Sequence, residues 1–188
     1  MWINGELAVF EGQLKRGPSP DDTYYDEVDI APFLKQGENF ISILVWYFGK
    51  DGFSHNSSGK AALIFDCQAK GFDLLSDLSW KASTRKEVGT AGLPLPNFRL
   101  PESSIRYDAR LGNFDFISSN KLKWGRTRSL GTPPIRPWNN LVKRPLPLWR
   151  DYGMKNYANE MKFPFVSKGD TIVCHLPYNA QITPYFKI

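Results

Sequence analysis

Tyr24 to Phe48, YYDEVDIAPFLKQGENFISILVWYF, is the stretch whose reading decides the fold. A short strand-like run ends at Val28, a compact turn occupies Asp29 to Leu34, and Lys35 to Asn39 is polar around Gly37. Asp29 stands where an N-cap would, Pro32 is compatible with a first helical turn, and Gly37 suits the left-handed residue that closes it. Phe40 to Phe48 is then apolar or aromatic at every position but Ser42, as in a core strand covered on both faces. Such a unit cannot bury its apolar faces alone and calls for a second sheet. The expected fold class is all-β, an antiparallel β-sandwich.

Upstream, Trp2 to Phe10 contains Asn4-Gly5, the dipeptide that best supplies the two positive φ angles of a type I′ hairpin turn. A turn this close to Met1 leaves a first strand well short of the usual ~5 to 6 residues, so the chain is expected to begin inside a strand. Glu11 to Thr23, with Gly17-Pro18-Ser19-Pro20 and Asp21-Asp22, reads as a surface loop. Its paired carboxylates read as part of a solvated turn, against the alternative of touching a cation, because calcium needs about six or more oxygen ligands.

Downstream, Gly49 to Lys60 reads as a polar loop carrying His55 and the sequon-like Asn56-Ser57-Ser58. Strands are expected over Ala61 to Cys67, across Leu74 to Ser83 with a turn at Asp77-Leu78-Ser79, and over Ile105 to Phe116. Glu87 to Ser104 is rich in Gly and Pro and reads as a long excursion. Gly131 to Pro147 carries five prolines and is expected to be an extended connector lying over other surface. Phe163 to Val166, Thr171 to Leu176 and Ala180 to Ile188 read as strands of a second β-domain that continues past the end of this sequence. The expected division is 1–130 for the sandwich, 131–160 for the Pro-rich connector and 161–188 for the start of the second domain.

Composition bounds the rest. The 188 residues suffice for one domain with a sizeable core. The 27 aromatic residues, 15 Gly and 14 Pro favour strands and turns over long helices. The net charge of +5 is spread among mixed acids and bases and does not by itself argue for nucleic acid. No apolar run approaches the ~18 residues that span a bilayer, and MWINGELAVF lacks the parts of a signal peptide. Cys67 and Cys174 lie in apolar runs and read as two thiols.

The side chains that carry chemistry are sparse. His55 and His175 are the only imidazoles, and neither lies beside a nucleophile motif. Two Cys and two His show no paired metal-ligand spacing, and no phosphate-binding glycine loop is present. Asp26, Glu27, Asp29, Asp66, Asp108 and Asp115 are the carboxylates available for glycosidase-type work, which needs two of them facing across a sugar. Lys121 to Arg128, KLKWGRTR, gathers four basic residues around Trp124. It is read as a packed indole with basic side chains facing solvent or a neighbouring domain, against the alternative of a phosphate-gripping site. Aromatic residues beside polar loops offer ring faces to a sugar. Tyr24, Trp46, Tyr47 and Trp124 are the candidate platforms, and His55, Asn56 and Asp108 the candidate polar partners. A core or turn role for each is the competing reading.

Three stretches together resemble the noncatalytic β-sandwich of bacterial glycoside hydrolases, most closely that of the α-L-rhamnosidase family. WINGEL, Trp2 to Leu7, is similar to the W-(I/V)-N-G hairpin of the galactose-binding-like jelly roll. YYDEVDIAPFLKQGENFISILVW, Tyr24 to Trp46, resembles the segment in which a Val-Asp-Ile strand leads through a helical turn and a Gly-Glu-Asn turn to a core strand. LSDLSWKAS, Leu75 to Ser83, and IRYDAR, Ile105 to Arg110, resemble that family's D-x-S-W-K strand and Y-D-A-R element. LPYNAQITPYFKI, Leu176 to Ile188, looks like the beginning of the second β-domain that precedes the catalytic barrel. The likeness covers most of residues 1 to 130 and thins beyond.

The resemblance implies an accessory module whose partner is the catalytic domain of the same polypeptide, in a periplasmic or extracellular parent enzyme. It also implies a rhamnose-containing glycan as the carbohydrate to test. In the family the catalytic carboxylates belong to an (α/α)6 barrel, which this chain has no long amphipathic helices to build, so no catalytic residue carries over. No cofactor is expected, with calcium the one metal that related rhamnose-binding modules bring into question. Neither a nucleic-acid nor a membrane partner is expected.

Overall fold

The computed structural model describes residues 1–10, 19, 21–47, 49, 57–69, 72–90, 105–112, 115–118, 122–159, 166, 168–169 and 171–179. Among them the regular elements are short strands and two single-turn 3-10 helices, Ala31–Phe33 and Asp115–Ile117. The chain is therefore mostly β, arranged as small sheets. It divides into two compact units, Met1–Trp149 and Arg150–Ile188.

The first unit is built around the Asn4-Gly5 hairpin. Strands β1 (Trp2–Ile3) and β2 (Glu6–Leu7) pair antiparallel through a turn with φ of +53° at Asn4 and +88° at Gly5, the positive pair of a type I′ turn. On its other side β1 pairs antiparallel with β4 (Ile41–Ser42). Asn4 joins turn to strand: its backbone N–H donates to Phe40 O at 2.8 Å, and its side-chain Oδ1 accepts from Phe40 N at 3.0 Å. Its Nδ2 donates to Phe33 O and to Asn39 Oδ1, each at 2.9 Å. The helical turn and the hairpin are thereby fastened to each other.

The helical turn itself is local chemistry. Pro32 lies inside the 3-10 helix, and Asp29 Oδ1 accepts from Ala31 N at 3.0 Å just ahead of it. Gly37 takes φ of +88°, and Asn39 closes the loop by accepting from Lys35 N and donating to Lys35 O and Gly37 O.

Ile3 is fully buried, a burial that contributes about 1.5 to 3 kcal/mol. Ser42 and Phe116 are buried beside it, and the Trp2 ring meets Phe116 edge-on with centroids 5.5 Å apart. Arg85 lies over the Phe116 ring, 4.4 Å from its centroid, and forms an ion pair with the buried Glu87. Glu87 O accepts from Asp108 N at 2.8 Å, extending the antiparallel pair of β8 (Val88–Thr90) and β9 (Ile105–Tyr107).

A second cluster surrounds the hairpin of β5 (Asp66–Ala69) and β6 (Phe72–Leu75). Ser76 exchanges two hydrogen bonds with Phe65, one through its N–H and one through its hydroxyl. Trp80 donates from Nε1 to Leu75 O at 2.8 Å and tilts against Phe65 at 5.3 Å. The Asp77-Leu78-Ser79 turn then leads into β7 (Lys81–Ala82), which pairs antiparallel with β10 (Gly125–Arg126).

Several expectations from the amino-acid pattern are corrected. The strand expected over Ile105 to Phe116 ends at Tyr107, a turn follows, and Asp115–Ile117 is a 3-10 helix, while the excursion expected from Glu87 begins as strand β8. Phe40 to Phe48 is not a strand covered on both faces: pairing stops at Ser42, and Leu44, Val45, Trp46 and Tyr47 are exposed. An apolar run is sheltered only where a second surface meets it, and among the described residues none does. Strand pairing in Ala61 to Cys67 begins only at Asp66, leaving Leu63 and Ile64 exposed. Thr171 to Leu176 forms no strand; Asn159 grips it instead, donating to Val173 O at 2.8 Å and accepting from His175 N at 2.7 Å.

The proline-rich stretch lies over other surface and also holds a strand. β11 (Leu141–Lys143) pairs in parallel with β3 (Thr23–Tyr25). Thr23 Oγ1 donates to Trp138 O at 2.8 Å, and Arg144 N donates to Tyr25 O at 3.0 Å. Side chains extend the zipper: Arg144 Nε reaches Asp26 Oδ1 at 2.7 Å, Lys143 pairs with Glu27, and the Arg144 guanidinium lies 5.1 Å from the Tyr24 ring centroid. Cys67 and Cys174 are both thiols. The expectations for 91–104 and 180–188, and for Phe163 to Phe165, lie outside the described residues.

Candidate functional site

Among the described residues, exposed large apolar side chains follow one another four in a row only in the segment that leaves β4, Leu44 to Tyr47. Leu44 is 53% exposed and Trp46 49%, in a chain whose described core is small. Tyr47 follows, its hydroxyl 3.5 Å from Ser57 Oγ. Leu63 and Ile64 are exposed in the same way ahead of β5. Each such side chain leaves apolar area in water at a cost of about 25 cal/mol per Å², and a run of four consecutive ones suits contact with another surface. Trp46 and Tyr47 therefore stand where ring faces can be reached. His55 and Asn56, their expected polar partners, lie outside the described residues.

The other expected site residues are placed elsewhere and differently. Asp108 follows β9 and is bound to its own turn: it accepts from Arg110 N at 3.1 Å, from Nε at 2.9 Å and from Nη2 at 2.6 Å. The hydrogen-bonded Arg110 guanidinium holds the Asp108 carboxyl below the usual carboxylate range. Trp124 is half-buried, and its Nε1 is shut off from solvent without an acceptor. Tyr24 lies beneath Arg144. No hydrogen bond, ion pair or ring contact joins any two of Trp46, Tyr47, Asp108 and Trp124.

The candidate carboxylates each have a partner or a turn to serve. Asp26 is held by Arg144, Glu27 by Lys143 and Asp108 by Arg110. Asp29 accepts from Ala31 N and Asp66 from Gln68 Nε2, while Asp115 opens a 3-10 helix. Lys143 holds Glu27 below its ordinary pKa, and Glu27 in turn raises Lys143. Asp22 accepts from the Ser19 hydroxyl and from both nitrogens of Asn140, a turn-fastening role. Among the described residues no three His, Cys, Asp or Glu side chains gather as a metal would require. No helix among them is long and apolar enough to cross a membrane.

Two features escaped the sequence reading. The buried Arg85–Glu87 pair spans a turn only two residues long, and nothing in its composition separates it from a solvated pair. The Arg144–Asp26 pair joins residues 118 positions apart, so no local pattern announces it. No family model, curated protein or solved structure matches the chain.

Proposed function

We propose that this chain is an accessory, noncatalytic module of an α-L-rhamnosidase-like glycoside hydrolase, supporting the catalytic domain of the same polypeptide. The observation that carries the docking role is the exposed apolar run Leu44 to Tyr47. Four candidate carboxylates argue in the same direction, since Asp26, Glu27, Asp29 and Asp108 are committed to turns and ion pairs. The finer fold in this reading is a galactose-binding-like jelly-roll sandwich. Its support is the WINGEL hairpin seated on β4, the Asp77 turn leading into β7 and the start of IRYDAR in β9, three places where the sequence motifs meet antiparallel pairs.

A paired substitution tests the docking role. Leu44→Lys with Trp46→Ser should leave the isolated chain within about 0.5 kcal/mol of the parent, as exposed substitutions do. In the protein extended by its own reading frame the same pair should cost more than about 2 kcal/mol, because it breaks an apolar contact. Equal effects in both settings would refute docking. Carbohydrate contact at Trp46 and Tyr47 is a second reading, favoured by their accessible rings. Calorimetric titration with L-rhamnose, with and without calcium, should give saturable heat at millimolar sugar; its absence removes that reading and leaves the purely structural module.

A further inference from the structure

Lys81 in β7 stands directly opposite Arg126 in β10, and directly opposite residues of an antiparallel pair project from the same face. Both are exposed, and neither side chain has a hydrogen bond or ion pair among the described residues. Like charges placed opposite each other weaken a strand pair, so this pair costs the β7–β10 ladder local stability. Arg128 lies two residues past Arg126, beyond the end of β10, and Ser79 and Ser83 flank β7 along the chain. All three are exposed. The opposite face is the packed one: Thr127 Oγ1 donates to Trp80 O at 3.1 Å, and the Trp80 ring rests against Phe65.

The result is a short ladder: the exposed Lys81–Arg126 rung, with exposed Arg128 two residues beyond it. Asp77, the adjacent carboxylate along the chain, is occupied by Ser79 N at 2.8 Å. Arg85, Arg110, Lys143 and Arg144 by contrast each meet a carboxylate. Two residues of chain put the Arg126 and Arg128 Cα atoms at most about 7 Å apart, within reach of neighbouring groups of an extended polymer. The guanidinium fork binds carboxylate or sulfate through two parallel N–H donors, and lysine adds a point charge.

We propose that the Lys81–Arg126–Arg128 ladder binds an anionic glycan, with carboxylate or sulfate groups carried along an extended sugar chain. The choice of a glycan rests on the accessory role proposed above; the ladder itself rests on the β7–β10 register. Single-stranded nucleic acid is disfavoured because its binding draws on exposed rings that stack bases, and the aromatic beside the ladder, Trp124, is half-buried with its N–H enclosed.

The test measures binding of the whole chain to immobilised oligogalacturonate, heparin, oligo-dT and uncharged dextran at low and at moderate salt. Oligogalacturonate or heparin should be retained, dextran should not, and added salt should weaken binding. Preference for oligogalacturonate identifies carboxylate as the group read, and preference for heparin identifies sulfate. Lys81→Gln with Arg126→Gln should lower affinity about tenfold or more. Lys35→Gln with Lys60→Gln, which removes the same charge from exposed positions elsewhere, should change it less than about twofold. Tightest binding to oligo-dT, no retention on any polyanion, or equal loss in the two double variants would each overturn the proposal. The Leu44 and Trp46 comparison reads docking independently, so failure of the ladder leaves the accessory role standing and failure of docking leaves the ladder without its glycan assignment.

Discussion

Replacing Asn4 separates two things that residue does at once. Its φ of +53° is a left-handed conformation, which costs a residue with an ordinary Cβ about 1 to 2 kcal/mol. Its side chain also makes three hydrogen bonds, to Phe33 O, Asn39 Oδ1 and Phe40 N. At about 1 kcal/mol each, less for the exposed one, these total about 2 to 3 kcal/mol. Asn4→Gly keeps the backbone geometry and removes the bonds, so it should cost about 2 to 3 kcal/mol. Asn4→Ala loses the bonds and adds the strain, so it should cost about 3 to 5 kcal/mol. Urea unfolding, followed by far-UV circular dichroism, reads the difference. With a slope of about 2 kcal/mol per molar urea, the glycine variant should unfold about 1 M earlier than the parent and the alanine variant earlier still. A glycine variant within about 0.5 kcal/mol of the parent would show that the Asn4 bridge contributes nothing to stability. Alanine no worse than glycine would refute the left-handed turn.

Other outcomes follow from single residues. Trp80→Phe breaks the bond from Nε1 to Leu75 O and should cost about 1 to 2 kcal/mol; Trp124→Phe removes a buried N–H that has no acceptor and should be the milder of the two by about 1 kcal/mol in thermal or urea unfolding. The hydrogen bond from Lys143 holds the Glu27 carboxyl below the ordinary glutamate value of 4.5, so its contribution is present above that pH and disappears as pH falls through the lower folded value. Glu27→Gln should accordingly flatten the acid limb of stability measured against pH, and an unchanged limb would show the pair to be without effect. Gly37→Ala meets open space at φ of +88° and should cost about 1 kcal/mol. Gly131→Ala adds a Cβ that crowds Ile135 Cδ1 at φ of +111° and should cost about 1 kcal/mol more; equal melting temperatures for the two variants would contradict the close approach at Ile135.

Legibility tracked distance along the chain. The Asn4-Gly5 turn, the helical turn around Pro32, the left-handed Gly37 and the Asp77 turn were all readable, because each is specified by steric and hydrogen-bonding rules acting over about four residues. The mostly β character followed from the same turn chemistry and the aromatic content. Exposure was less readable. Leu44 to Tyr47 has the pattern of a buried strand, yet burial depends on whether another surface arrives. The candidate residues behaved likewise: Trp46 and Tyr47 stand open, while Asp108 is claimed by Arg110 and Trp124 by its surroundings. Composition alone does not distinguish an offered side chain from a committed one.

By itself, then, the amino-acid order determined where the backbone must turn and which short runs favour strands, since those preferences are carried by each residue's own φ and ψ and by near neighbours. Tertiary structure alone decided that Thr23–Tyr25 pairs in parallel with Leu141–Lys143, that Arg144 finds Asp26, that Lys81 faces Arg126 and that the run beyond Ser42 remains exposed. These are pairings between segments distant in sequence, whose energies come from burial and from partners meeting in space. The register of those meetings places a charge opposite its counterion or, as at Lys81 and Arg126, opposite another of the same sign.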